Sequence, residues 1–344
     1  MKNNLLSFAL VSLVLQTFGA HLAVADVVIL KGGDRLSGTI VSKDEKQLTL
    51  QTVYAKDPIT LLWSEVTNIE TDEPARFMLK DKTLINAQAT PSGESTVVLK
   101  SGEAITTAPL PMSDITYINP PPHVSGEGVS FSGRANLGLT ANRGNTDTDQ
   151  LFYDAEAVAR SLKNRFTIGA TGVNAKDEGE DTTRNNRAYM QYDHFLTEQW
   201  YGYANTDFQE DKFADLNLRT TLGVGAGYQF FDSTQRSLSL EAGPSYVNED
   251  YKTAEDDSFT AARWGLQYRE NLFGDALQFF HNNEGIVSVE DTDDMIFRAQ
   301  TGVRFPVIEH LSGTIQYNID WQNTPPDGFD STDSGVIVSM GYLW

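Results

Sequence analysis

Few residues in this chain are of a type and spacing that could do covalent chemistry. Hydrolysis of a lipid ester needs a hydroxyl beside an imidazole that can take its proton. Beyond the first 25 residues the histidines are His123, His194, His281 and His310. Only His123-Val124-Ser125 has a serine two residues away, and it lies in a proline-rich stretch. His194 and His281 would need a partner from another strand. The sequence has no cysteine, which excludes thiolate zinc sites, disulfides, cysteine nucleophiles and an acylated amino terminus. The remaining candidates are charges. One set is Arg134, Asp154, Glu156, Arg160, Arg187, Asp193, Arg219, Glu241, Arg263, Arg298, Arg304 and Asp320, placed among alternating apolar and polar residues. The other is a series of acidic clusters, Asp177-Glu178-x-Glu180-Asp181, Glu249-Asp250, Glu255-Asp256-Asp257 and Glu290-Asp291-x-Asp293-Asp294. Carboxylate clusters can hold Ca²⁺ or Mg²⁺ and bridge to lipopolysaccharide phosphates. The cluster Glu290, Asp291, Asp293, Asp294 is the nearest to such a site, but no cluster has EF-hand spacing. Solvated loop charge is the simpler expectation, with no metal and no cofactor.

The elements that position these charges follow from composition and periodicity. The chain has 344 residues, 26 Lys+Arg against 47 Asp+Glu, and a formal charge of -21. Such an anionic chain has no use for nucleic acid, whose phosphates are bound by clustered Lys/Arg. With 40% hydrophobic and 10% aromatic residues it can fold, so its acidity does not mean disorder. Lys2, the apolar run Leu5 to Phe18 and Ala23-Val24-Ala25 before Asp26 form the basic, apolar and small-residue regions of a secretory signal, cleaved between Ala25 and Asp26. The run is shorter than the ~20 residues a membrane-spanning helix needs. Residues 1–25 are therefore expected to be a signal peptide.

Residues 26–119 read as short strands in two copies, 26–73 and 74–119. Leu30-Lys31 recurs as Leu79-Lys80, and Trp63-Ser64-Glu65-Val66 as Met112-Ser113-Asp114-Ile115. The run Leu30 to Ile40 looks like the start of a small SH3-like or Sm-like barrel. Two such short barrels would be marginal alone, so the copies are expected to pack together. The stretch has no catalytic set. It is either a spacer or cap for the rest of the chain, or a docking module for a periplasmic protein. Pro120-Pro121-Pro122 ends it, because prolines are stiff and cannot donate ladder bonds. Residues 120–127 form a linker.

From Gly128 to Trp344 the strands lengthen and alternate. Leu222, Val224 and Ala226 share one face against Thr221, Gly223 and Gly225; Ile315, Tyr317 and Ile319 oppose Thr314, Gln316 and Asn318. Soluble strands average ~5–6 residues, whereas a membrane strand needs ~9–11. Short connections (162–165, 197–199, 231–236, 271–275, 306–310) alternate with long ones (142–149, 174–184, 209–215, 248–258, 288–294, 322–333). That makes twelve strands with short turns on one side and surface loops on the other, as in outer-membrane barrels. An open sheet would leave its edges unpaired in lipid, so it must close. The fold class is all-β, a twelve-stranded antiparallel transmembrane barrel preceded by two small SH3-like modules. Tyr153, Tyr192, Trp200, Tyr201, Tyr203, Trp264, Tyr268, Tyr317 and Trp321 are expected in its interfacial girdles. Met340, Tyr342 and Trp344 on one face of the last strand resemble the terminal signal read by the barrel-assembly machinery.

Several segments together resemble the outer-membrane family known as domain-of-unknown-function family 481, whose members are often called salt-induced outer-membrane proteins. They are Gly144-Asn145-Thr146, Asp193-His194-Phe195-Leu196, the run Asp211 to Arg219, Gly223-Val224-Gly225-Ala226-Gly227-Tyr228 and the run Leu240 to Tyr246. The likeness spans Gly133 to Trp344. It implies a barrel and an outer-membrane location, and it supplies no catalytic residues.

Seven arginines and five carboxylates of the first charged set then face a confined bore, where they must pair or stay hydrated. A network of ion pairs filling the bore is the first expectation. A narrow polar channel with slight anion preference from the surplus arginine is the second. An open diffusion pore and a lipid hydrolase are the alternatives. The partners expected are outer-membrane lipid and lipopolysaccharide, the assembly machinery, and a periplasmic protein at residues 26–119.

Overall fold

The computed structural model describes residues 25–44, 46–102, 105–143, 147–233, 235–273 and 276–344. Ala23 of the cleavage motif and Gly144-Asn145-Thr146 lie outside these residues; Ala25 and Asp26 open the described chain. Two compact units divide between Pro120 and Pro121.

The first unit has β1 (Asp26–Leu30), β2 (Arg35–Lys43), β3 (Gln47–Gln51), β4 (Ile59–Leu62) and β5 (Val66–Glu70), followed by β6 (Ala75–Leu79), β7 (Leu84–Gly93), β8 (Thr96–Ser101), β9 (Ile105–Thr106), β10 (Leu110–Pro111) and β11 (Ile115–Ile118). A 3-10 turn precedes the last strand of each half, Trp63–Glu65 and Met112–Asp114. The duplication seen in the sequence thus recurs in the elements. In the first half β5 pairs with β1, β1 with β2, and β2 with β3; in the second β11 pairs with β6, β6 with β7, and β7 with β8. The halves do not bury separate cores. Val28, Ile40, Leu50 and Ile69 of the first pack with Phe77, Val97, Leu99 and Ile118 of the second in one cluster. Half-length copies bury too little apolar surface alone, and pooling it gives one adequate core. β11 also pairs with β2 through Ile118 and Lys43. Lys43 is buried, and its Nζ donates to the carbonyls of Ile115 (2.6 Å) and Thr116 (2.7 Å) while lying over the Trp63 ring.

The second unit opens with the one-turn helix α1 (Pro122–Ser125) and continues as β12 (Ser130–Asn142), β13 (Thr148–Arg160), β14 (Asn164–Asp177), β15 (Glu180–Phe195), β16 (Trp200–Asp211), β17 (Leu216–Asp232), β18 (Arg236–Tyr251), β19 (Asp257–Leu272), β20 (Leu277–Ser288), β21 (Met295–Ile308), β22 (Leu311–Gln322) and β23 (Thr332–Leu343). Each strand pairs antiparallel with the next, and β23 closes on β12. Large apolar side chains point outward and stay exposed, among them Phe131, Ile168, Leu222, Val224, Ile315, Val336 and Val338. A dozen residues of a tilted strand cross a ~25 Å apolar band, so this face is the one that meets hydrocarbon. Polar side chains, including Asn136, Asp154, Thr221, Glu241, Arg263 and Gln316, are buried inside.

At the closure, Gly133 and Trp344 exchange backbone hydrogen bonds (3.0 and 3.1 Å). A Cβ on Gly133 would run into the Trp344 ring and stand 2.6 Å from the Glu156 carbonyl oxygen. Glycine is the residue that lets the terminal indole lie flat against β12.

Some connections differ from expectation. Residues 174–184 are not a long loop: β14 and β15 extend to a tight hairpin at Glu178 and Gly179, whose φ values of 49° and 86° give the strand twist a left-handed pair of turn residues. β18 likewise runs on to Tyr251, so Glu249 belongs to a strand. Leu216 shares the parity of the lipid-facing Leu222 yet is buried, because a bulge between Leu216 and Leu218 reverses its side.

Candidate functional site: the charged bore

Alternation along each strand sends every second residue inward, and the inward charges stack in layers. In the layer nearest the short turns, Arg165 pairs with Asp193 and donates to Gln229 (3.3 Å). The Arg160 guanidinium lies 3.5 Å over the Phe195 ring. Tyr201 and Gln191 both donate to Glu241, at 2.9 and 2.7 Å. Tyr201, Tyr203 and Phe195 are buried here, so Tyr201 and Tyr203 fill the bore and do not join the interfacial girdle. Tyr192 and Trp200 remain on the outside.

The central layer is organised around Glu284. It accepts from Arg187 (2.7 Å), Arg263 (2.6 Å) and Arg298 (3.4 Å). Arg187 also pairs with Asp207, Arg263 with Glu241 (3.2 Å), and Arg298 with Asp207 and Asp320 (3.5 Å each). In the layer toward the long loops Arg219 pairs with Glu249 and donates to Gln209 (3.2 Å) and Gln322 (2.7 Å), and Arg298 donates to Gln209. On a separate stretch of wall Arg134 pairs with Asp154 (2.9 Å) and Glu156, Tyr189 donates to Glu156 (2.7 Å), and Arg304 donates to Gln278 (2.7 Å).

Four of these contacts cross the bore, between three pairs of strands. Arg187 and Glu284 join β15 to β20, Arg298 joins β21 to both Asp207 and Gln209 of β16, and Arg219 and Gln322 join β17 to β22. Each pair has four intervening strands on one side and six on the other, so the contacts link opposite walls. The arrangement satisfies charges that would be very costly to bury singly. It also puts guanidinium and carboxylate groups where a wide barrel would hold water.

All twelve charged residues singled out in the sequence lie on barrel strands, and most of them meet in this network. Arg165, Asp207, Gln209, Glu249 and Glu284 were not among them. Arg165 reads as part of a short turn, and Glu249 as part of a loop. Asp207 and Glu284 sit in segments where both parities carry aromatic or polar residues; their spacing from Asp211 and Ser288 was the available signal. With Asp207, Glu249 and Glu284 added to the acids and Arg165 to the bases, the surplus of arginine disappears, and with it the basis for an anion preference.

The acidic cluster of Glu290, Asp291, Asp293 and Asp294 serves its own loop. Ser288 Oγ accepts from the amides of Glu290 and Asp291 (3.2 Å each), Asp291 from Asp293 (3.0 Å), and Asp294 from Thr324 (2.6 Å). Among the described residues no three His, Asp or Glu side chains converge as a metal site. Asp215 staples two loops by accepting from Ala254 (2.9 Å) and Thr253, and these bonds hold its carboxyl below the usual range. At the other end, burial pushes the His123 imidazole on α1 down; the Arg160 charge adds to this and Asp232 opposes it.

The outer face carries one polar group of note. His281 Nδ1 is 2.7 Å from Thr301 Oγ1, and Asn283 Nδ2 is 2.9 Å from His281 Nε2. His194 instead contacts Asn164 Oδ1 (3.0 Å), and His310 contacts the Leu343 carbonyl oxygen (3.1 Å).

We find no similar sequence among curated proteins. Among solved structures the chain is similar to the NanC porin (9% identity, covering 62% of this chain and 100% of that one, TM-score 0.40). It is similar too to the translocator domain of the autotransporter NalP from Neisseria meningitidis (13%, 62% and 88%, 0.35) and to the outer-membrane channel DcaP of Acinetobacter baumannii (9%, 63% and 98%, 0.31). Residues 135–344, the barrel from its first strand to its last residue, match the profile of a family described as protein of unknown function, DUF481, and the chain belongs to that family.

Proposed function

We propose that the protein is an outer-membrane barrel of non-enzymatic role whose bore is closed by ionic bridges, with residues 26–119 on the periplasmic side. The observation that carries this is the set of four contacts between opposite walls. A diffusion pore needs a continuous wet lumen, and here solute passage along the axis requires breaking charge-assisted bonds inside the barrel. The duplicated unit serves as a periplasmic cap or docking module, and export depends on residues 1–25. In planar bilayers the purified protein is expected to show no steady conductance, while Arg187→Ala, Arg219→Ala and Arg298→Ala combined, which remove every cross-wall contact, open a polar passage. Porin-scale conductance from the unaltered protein refutes the closed bore.

The Thr301–His281–Asn283 group supports a second reading, an outer-membrane lipid hydrolase. With the Asn283 amide turned so that its oxygen accepts from Nε2, Nδ1 is free to take the Thr301 proton. Phospholipid release that vanishes in His281→Ala would establish it, and absence of release from the folded protein in vesicles removes it.

A further inference from the structure

The barrel closes unevenly. The β12–β13 ladder occupies the whole of β12, from Ser130 opposite Arg160 to Asn142 opposite Thr148. The β12–β23 ladder runs only from Arg134 opposite Leu343 to Leu137 opposite Met340. A Cβ on Gly138 would stand 2.8 Å from the Val338 carbonyl oxygen, so the two backbones still meet there; beyond it, toward the long loops, residues 139–142 and 332–337 share no ladder. Leu139 and Val338 on the outer side of this seam are 73% and 67% exposed, and a Cβ on Gly335, on the inner side, would meet nothing within 4 Å. Unpaired strand edges within a membrane are costly.

The inner wall beside the seam is unusual in a second, independent way. Arg304 is in register with Thr314, and Thr314 with Ser339, which neighbours the last ladder residue Met340; Asn136 stands opposite Gly341. Thr314, Ser339 and Asn136 are almost fully buried. Arg304 Nε, Thr314 Oγ1, Ser339 Oγ and Asn136 Oδ1 have no hydrogen-bond partner among the described residues. Orphaned buried groups cost free energy that a partner recovers, and here they form a row that leads to the seam.

The geometry points to a lateral site for an amphiphile. Its oxyanion head group accepts from Arg304, Thr314 and Ser339 inside the barrel, and its acyl chain leaves between β12 and β23 along Leu139, Val336 and Val338. An additional head-group hydroxyl would satisfy Asn136 Oδ1. Phosphate and carboxylate heads share this chemistry. The inference goes beyond the closed bore and is independent of it, since conductance tests the axis and amphiphile binding tests the seam.

The test uses the full chain, folded in neutral maltoside detergent and checked for heat-dependent gel mobility, with binding read by native mass spectrometry. Dodecyl phosphate and dodecanoate are the probes. A one-to-one complex is expected with at least one of them. Preference for the phosphate indicates a phospholipid as the natural source, and preference for the carboxylate a free fatty acid. Arg304→Gln weakens the complex tenfold or more; should it fail to fold, Ser339→Val examines the same row. Oxidising a Leu139→Cys/Val338→Cys pair, in a chain with no other cysteine, blocks exchange of the probe until the disulfide is reduced. Absence of a complex with either probe, equal binding in Arg304→Gln or Ser339→Val, or exchange unaffected by the closed disulfide each overturns the proposal.

Discussion

Replacing Glu284 tests the bore most directly. Its carboxylate accepts from three arginines and its side chain is 11% exposed, while those of Arg263 and Arg298 are 7% and 8%. Breaking a buried ion pair by removing one partner costs roughly 3–5 kcal/mol, because the other charge stays buried. The arginines keep other acceptors: Arg187 has Asp207, Arg263 has Glu241, and Arg298 has Asp207 and Asp320. The low end of that range, about 3 kcal/mol, is therefore expected. At about 1.4 kcal/mol per tenfold this is roughly a hundredfold in the folding equilibrium. Glu284→Gln keeps the volume and one acceptor, so it isolates the charge. Urea titration of the protein in vesicles, followed by heat-dependent gel mobility, is the assay. With a slope of ~2–3 kcal/mol per molar urea, the midpoint falls by about 1 M. In the double variant Arg187→Gln/Glu284→Gln the loss is smaller than the sum of the two singles, since the orphaned cation is gone. An unchanged midpoint for Glu284→Gln, or strict additivity in the double variant, refutes a coupled network.

Other expectations rest on the same structure. Gly133→Val displaces the Trp344 indole, and deletion of Trp344 removes it; both slow barrel assembly, seen as persistence of the unfolded gel band in a timed refolding experiment, while Gly138→Ala is milder. Lys43→Met leaves the carbonyls of Ile115 and Thr116 without their buried donor, costing roughly 1–3 kcal/mol, and the fluorescence of Trp63 reports earlier melting of the first unit. His123 has a folded pKa below its unfolded value, so the unfolded state binds the extra proton and the packing of α1 weakens as pH falls below about 6.5. Limited proteolysis at the 120–127 segment should increase in that window, and His123→Gln removes the pH dependence.

The barrel was legible in the sequence because one physical demand, apolar outside and polar inside, is written at every second residue. Leu222 and Ile315 point to lipid, and Thr221, Thr314 and Gln316 point inward, as the alternation requires. The pattern fails where the bore itself is partly apolar. Phe195, Tyr201, Tyr203 and Phe280 are buried inside, so hydrophobicity no longer separates the faces of β16 and β20, and Asp207 and Glu284 are hidden there. Strand ends are also hard to read. Arg165 and Glu249 lie beyond the apolar alternation, in strand held by ladder bonds and by the partners Asp193 and Arg219. The duplication at the amino end was plain from repeated residues, and the shortness of the copies required them to pack together; that they share one core instead of docking as two barrels was not legible. That depends on surface complementarity across sequence separations no local pattern records.

The pooled core sets a timetable for the newborn chain. β2 pairs with β1 and β3 inside the first copy but gains its partner from the second only when Ile118 arrives, so the first copy has to wait, with its greasy side bare, while the second is made. At roughly 5–20 residues per second of synthesis, the wait lasts several seconds. An escorting chaperone is most needed in that interval, and a message truncated between the copies would leave an orphan prone to clump.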